Sequence, residues 1–147
     1  MAFKKVVVKL HNIFNDNTGD DPGDALEVYG RWDATRLAFN PDIGEVVPLG
    51  SVNLFDRSGD NPQDIVEGTA FIVESAGTLD IQGGEFLQVT GWVSDQDTFG
   101  GNDQLGNNID LRIPFNNIST GLVQLPVFEE SDQRVTVKMS TTVTAQG

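Results

Sequence analysis

The side chains with most chemical potential in this sequence are carboxylates, and they come in groups. Asp16, Asp20, Asp21 and Asp24 crowd residues 15–24. Asp56, Asp60, Asp64 and Glu67 crowd residues 56–67. Asp95, Asp97 and Asp103 lie within residues 95–106, and Glu129, Glu130 and Asp132 within residues 129–133. These fourteen acids share their four stretches with one base, Arg57. Crowded carboxylates repel, and each desolvated one pushes its neighbour's pKa up, so such groups either splay into water or enlist a cation. Calcium suits them best: it takes six to eight oxygen ligands, in tolerant geometry, from loops rich in Asp, Asn and Gly. Magnesium wants stricter octahedral geometry and fewer protein ligands. Zinc wants His or Cys, and the chain has one His and no Cys. Calcium is therefore the expected cofactor, with Asp16, Asp20, Asp21, Asp24, Asp56, Asp60, Asp64, Asp95, Asp97 and Asp103 as the expected ligands. The plainer alternative is a solvated acidic rim that serves solubility.

Other chemistry finds less support. Without cysteine there is no thiolate nucleophile and no disulfide framework. Ser51, Ser58 and Ser75 have no His or Lys near them in sequence, and His11 sits on the polar register of the first strand. Carboxylate pairs cleave glycosides in some enzymes, but carboxylates crowded on loops fit ligation better than a preorganised acid/base pair. The expectation is a protein that is not an enzyme.

The elements that must carry these loops are strands. A chain of 147 residues with 38% hydrophobic content suits one domain, residues 1–147, with a sizeable core. Apolar residues recur with period two in eight segments: Phe3–Phe14, Ala25–Asp33, Glu45–Phe55, Gly68–Glu74, Glu85–Ser94, Asn108–Phe115, Thr120–Phe128 and Arg134–Ala145. No segment reads as an amphipathic helix. One apolar face per strand, with Gly, Asn, Asp and Pro between strands, predicts an all-β, eight-stranded antiparallel β-sandwich. Pro114 places the end, or an edge, of the sixth strand. If consecutive strands alternate direction, the loops after strands one, three, five and seven meet at one end and make it acidic. A short echo supports shared loop chemistry: Asn12-Ile13-Phe14 leads to Asp20-Asp21-Pro22, and Asn53-Leu54-Phe55 leads to Asp60-Asn61-Pro62.

A net charge of -13 argues against nucleic acid, which is bound through Lys and Arg. It also opposes adhesion to anionic lipid unless a cation intervenes. No apolar run approaches the roughly 18 residues of a membrane span, and no signal peptide is visible after Met1–Lys5. Localisation stays open, though calcium use suits an extracellular or cell-surface site. Nothing in the sequence sets the oligomeric state.

The stretch FLQVTGWVSDQDTFGGNDQLGNNIDL, residues 86–111, is the most specific. An apolar strand ends in Asp-x-Asp, an aromatic sits at a loop tip, Asn-Asp-x-x-Gly follows, and an apolar strand begins. It resembles the third calcium-binding loop of the C2 domain family, the calcium-dependent phospholipid-binding modules. Asp95, Asp97 and Asp103 fall on that loop's carboxylate positions, and Leu105-Gly106 on its step into the next strand. VVVKLHNIF, a Gly/Asp-rich turn, Asp21-Pro22 and ALEVYG are similar to the family's first strand, first loop and second strand, with Asp16 and Asp21 as the matching aspartates. Calcium loops after the first, third and fifth strands would match the circularly permuted form of that fold. The chain departs from the family in inserting Gly23-Asp24-Ala25, in its acidic second loop, and in lacking a Lys-rich strand. The resemblance implies calcium-dependent docking to anionic phospholipid, with Phe99, between polar residues and Gly100-Gly101, as a membrane or partner contact. Two alternatives stand beside it: a calcium-stabilised structural or interaction subunit of a larger secreted or surface assembly, and a calcium-dependent carbohydrate-binding module. The last would use Trp92 and Tyr29, which face away from the core side of their strands.

Overall fold

A computed structural model of the chain describes residues 2–19, 25–96, 103–124, 128–130 and 132–147. Its strands are β1 (Phe3–Asn17), β2 (Ala25–Asn40), β3 (Glu45–Arg57), β4 (Gln63–Val66), β5 (Ala70–Gln82), β6 (Phe86–Asp95), β7 (Asp103–Gln104), β8 (Ile109–Pro114), β9 (Gly121–Gln124), β10 (Phe128–Glu130) and β11 (Gln133–Gln146). One 3-10 turn, Phe115–Asn117, follows β8. All pairings are antiparallel.

The strands form a five-stranded sheet, with central order β10-β11-β1-β5 and β9 also on β11, and a six-stranded sheet. The latter has order β3-β2-β6-β7, with β4 also on β2 and β8 on β6. The expectation of eight strands is corrected upward, and the register gives the reason. Along β2, β4 pairs with residues 25–28 and β3 with residues 30–40. Along β6, β8 pairs with residues 86–91 and β7 with residues 94–95. Along β11, β9 and β10 likewise occupy successive stretches. Each sheet is thus four positions wide; three edge positions are each divided between two strands, and β5 alone fills the fourth.

Alternation puts the apolar faces together. Val6, Val8 and Leu10 of β1, and Val135, Val137 and Met139 of β11, meet Leu26, Val28 and Trp32 of β2 and Leu87, Val89 and Val93 of β6, all buried. Trp32 stands edge-on to Phe128, ring centroids 5.4 Å apart. It also lies flat over Gly91, where an added Cβ would sit 2.3 Å from the indole. Several register shifts break simple alternation, two of them bearing on the core. β1 shifts between Leu10 and Asn12, so the next inward residues are Ile13 and Asn15. β3 shifts opposite Trp32/Asp33, so Leu54 and Phe55 are both buried. β8 ends at Pro114, as the proline requires.

At the end bearing the 41–44 turn, Arg36 holds Glu85 through bonds of 2.7 and 2.8 Å. The guanidinium keeps this carboxyl below its ordinary range, against an opposing push from burial. Lys4 donates to the carbonyls of Phe115 and Ile118 and lies over the Phe115 ring, tying β1 to the 3-10 turn.

Candidate functional site

The register decides which loops share an end. Asn17 lies opposite Arg134, Gly30 opposite Arg57, Ala25 opposite Val66 and Val28 opposite Asp95. The exits of β1, β3 and β6 and the entries of β2 and β11 therefore lie at one end, and the turn at residues 41–44 and the tight turn at residues 83–84 lie at the other. Among the described acidic residues, Asp16, Asp60, Glu67 and Asp95 lie toward that shared end.

Beneath it lies a polar floor. Of the seven buried polar or charged residues among those described, Asn15, Thr18, Ser94, Asp95 and Gln133 belong to this end; Thr35 and Thr141 do not. Asp95 is 1% exposed. Its carboxylate accepts the Glu27 backbone N–H at 2.8 Å and the Gln133 side-chain amide at 3.0 Å, bridging β2 and β11. The Asn15 amide donates to Thr18 Oγ1 at 3.0 Å and to the Ile65 carbonyl at 2.8 Å, while its buried Oδ1 has no partner among the described residues. Thr18 N–H donates to Glu67, and Gly68 N–H to the Asn15 carbonyl, so the turn after β4 is bound to the exit of β1. Sequence reasoning passed over Asn15, Thr18 and Gln133. Their signal is faint: polar residues at inward positions of strands that otherwise bury only apolar ones.

The sequence-predicted ligands divide. Asp95 is at the floor. Asp16, exposed at the end of β1, accepts from Thr136 Oγ1 at 2.6 Å. Asp60 is exposed in the turn between β3 and β4. Asp56 and Asp64, expected in a loop, lie in strands. Asp56 is on β3 and shares Arg31, at 3.3 Å, with Asp33. Asp64 is exposed on β4 directly opposite Glu27 of β2, two like charges across a pair, which costs stability without a counterion. Asp103 pairs through its backbone with Asp95. Asp20, Asp21, Asp24, Asp97 and Phe99 lie outside the described residues. Among the described residues, no three acidic or histidine side chains converge as a metal group. The donors present are carboxylate and amide oxygens, the unpartnered Asn15 Oδ1 included, and this set fits calcium rather than a nitrogen- or sulfur-seeking metal.

His11 lies on β1, half-buried, and is hydrogen-bonded: its Nε2 lies 2.7 Å from Ser140 Oγ, a partner 129 residues away, and Nδ1 lies 4.0 Å from Glu74. Glu74 has φ 52 at the bulge of β5 and is engaged by Lys9, whose hydrogen bond lowers the Glu74 carboxyl below its ordinary value. At 4.0 Å the carboxylate does not hydrogen-bond the imidazole, and its charge is answered by the lysine instead.

Outward aromatics fall where alternation put them: Tyr29 and Trp92 touch edge to face, centroids 5.7 Å apart, on the outer face of the six-stranded sheet. Among the described residues no helix is long and apolar enough to cross a membrane. The sequence matches no protein-family model, and no curated protein matches it.

Proposed function

We propose that this chain is a non-catalytic calcium-binding β-sandwich that docks to anionic phospholipid through the Asp-rich loops at one end. The observation that carries this reading is the strand register, which puts the exits of β1, β3 and β6 at one end over a floor of buried polar groups. The resemblance to the C2 family, in whose circularly permuted form calcium loops follow the first, third and fifth strands, supports the same reading.

Asp16 and Asp60 supply charge at the rim, Asp95 supplies a fixed carboxylate below them, and Asn15 offers a neutral amide oxygen. Rigid hydrogen bonds from Glu27 and Gln133 keep the Asp95 carboxylate aimed without further ordering cost. Bound calcium would supply the local positive charge that admits a lipid phosphate to an end otherwise repellent to it.

Calorimetric titration with calcium and with magnesium tests the metal, and sedimentation with phosphatidylserine vesicles, with calcium or with chelator, tests the membrane. Calcium is expected to bind and to raise the melting temperature, since a ligand at a hundred times its Kd adds about 2.7 kcal/mol. Vesicle binding is expected in calcium alone. Identical melts in calcium and chelator refute the metal. Calcium binding without vesicle binding refutes the membrane and leaves the calcium-stabilised interaction subunit.

A further inference from the structure

The outer face of the six-stranded sheet carries a second feature, argued without the calcium reading. A groove of about 430 Å³ runs across β2, β6 and β8, lined by Arg31, Asp33, Thr90, Trp92, Asn108 and Asp110. Register explains the line-up: Trp92 lies opposite Arg31, and Thr90 lies between Asp33 and Asp110. We propose that this groove binds a neutral carbohydrate, with Trp92 as the stacking platform and the flanking Asp33, Asn108 and Asp110 as hydroxyl partners.

Three observations point to that ligand class. The first is the platform. Trp92 is outward and half-buried, and Tyr29 meets it edge-on, which fixes the indole while it lines the groove. An aromatic face held this way presents apolar area to the C–H face of a sugar ring at little entropic cost. The second is preorganised polarity. Asp33 is gripped by Arg31, at 2.8 Å to Nε and 3.3 Å to the terminal nitrogen, and receives Asn53 at 3.0 Å. Asp110 receives Gln88 at 2.8 Å and pairs with Arg112. These planar groups stand on strands, with hydrogen-bonding positions left over, as recognition of closely spaced hydroxyls demands.

The third is charge. Each carboxylate of the groove faces an arginine, Asp33 sharing Arg31 with Asp56 and Asp110 pairing with Arg112, so the strip carries only a small negative charge within a chain of net charge -13. A polyanion would be repelled by the surrounding field, and a metal cation would find its carboxylates answered. A hydroxyl-rich neutral ligand meets neither penalty. With strands about 4.8 Å apart, the groove from β2 to β8 spans about 10 Å, room for a short oligosaccharide.

The test is titration calorimetry of the full chain, in chelator, against neutral oligosaccharides of glucose, xylose, mannose and N-acetylglucosamine. At least one is expected to bind and to shield Trp92 from acrylamide quenching, while the buried Trp32 is unaffected. Trp92→Ala is expected to weaken that binding by about tenfold or more, and Trp92→Phe by less. Asp110→Ala, at an exposed position, is expected to weaken it without changing the melting temperature and serves if Trp92→Ala folds poorly. The proposal is overturned if no sugar binds in chelator, if binding requires calcium, or if both Trp92→Ala and Asp110→Ala bind as the parent does.

Discussion

Asp95 is the residue on which the fold and the proposed site meet, and its substitution separates the two roles. It is 1% exposed, and its carboxylate accepts one backbone N–H from β2 and one side-chain amide from β11. Hydrogen bonds to a charged group contribute roughly 1.5–3 kcal/mol each, and a buried donor left without an acceptor costs about 1–3 kcal/mol. Asp95→Ala removes both acceptors at once, so a loss of about 3–5 kcal/mol is expected even in chelator. At about 2–4 °C per kcal/mol for a domain of this size, the melting temperature should fall by about 6–20 °C. Asp95→Asn keeps the shape and one acceptor, and should cost about 1–2 kcal/mol. Asp42→Asn, exposed in the turn at the opposite end, should stay within about 0.5 kcal/mol. Urea unfolding in chelator, followed by the fluorescence of the buried Trp32 and by far-UV circular dichroism, measures all three. If Asp95→Ala costs less than about 1 kcal/mol there, the carboxylate is not the structural tie between β2 and β11 described above. With that baseline in hand, the proposed calcium role predicts a further effect: the stabilisation added by calcium should shrink in Asp95→Asn and persist in Asp42→Asn.

Gly91→Ala should destabilise by about 1–3 kcal/mol and shift Trp32 emission, because the added methyl falls on the indole; a neutral effect by urea unfolding would contradict the Trp32–Gly91 contact. Glu85 has a folded pKa held below its ordinary 4.5 by Arg36, so its contribution is present above about pH 4.5 and is lost as pH falls through the lower folded value. Glu85→Gln should therefore lower stability at neutral pH and flatten its decline below pH 4.5, read from thermal melts across pH; parallel curves for variant and parent would count against the pair. On the membrane reading, Phe99→Ala should weaken calcium-dependent vesicle binding by about tenfold while leaving calcium affinity in solution unchanged. Unaltered vesicle binding would remove that loop as the inserting element.

The sequence by itself determined the class of structure. Burying one face of a strand imposes a period of two on its residues, so Val6/Val8/Leu10, Leu26/Val28, Leu87/Val89 and Val135/Val137/Met139 announced strands and their inward faces without reference to any partner. The same rule placed Tyr29 and Trp92 outward, and turn residues marked where the chain reverses. Direction reversal then sufficed to place the exits of β1, β3 and β6 at one end. Tertiary structure decided what depends on register, because pairing between distant strands leaves no local trace. The bulge at His11 shifted the inward phase of β1 and put Asn15 in the floor; the sequence pattern continues through it unmarked. Ser140 came to His11, Arg31 to Asp56, and Gln133 to Asp95 across 129, 25 and 38 residues. Edges divided into short strands because β4 and β7, at four and two residues, are held by their neighbours rather than by any periodicity of their own. Local burial writes itself into composition and spacing, whereas the choice of which polar group answers which charge is made only when the sheets close.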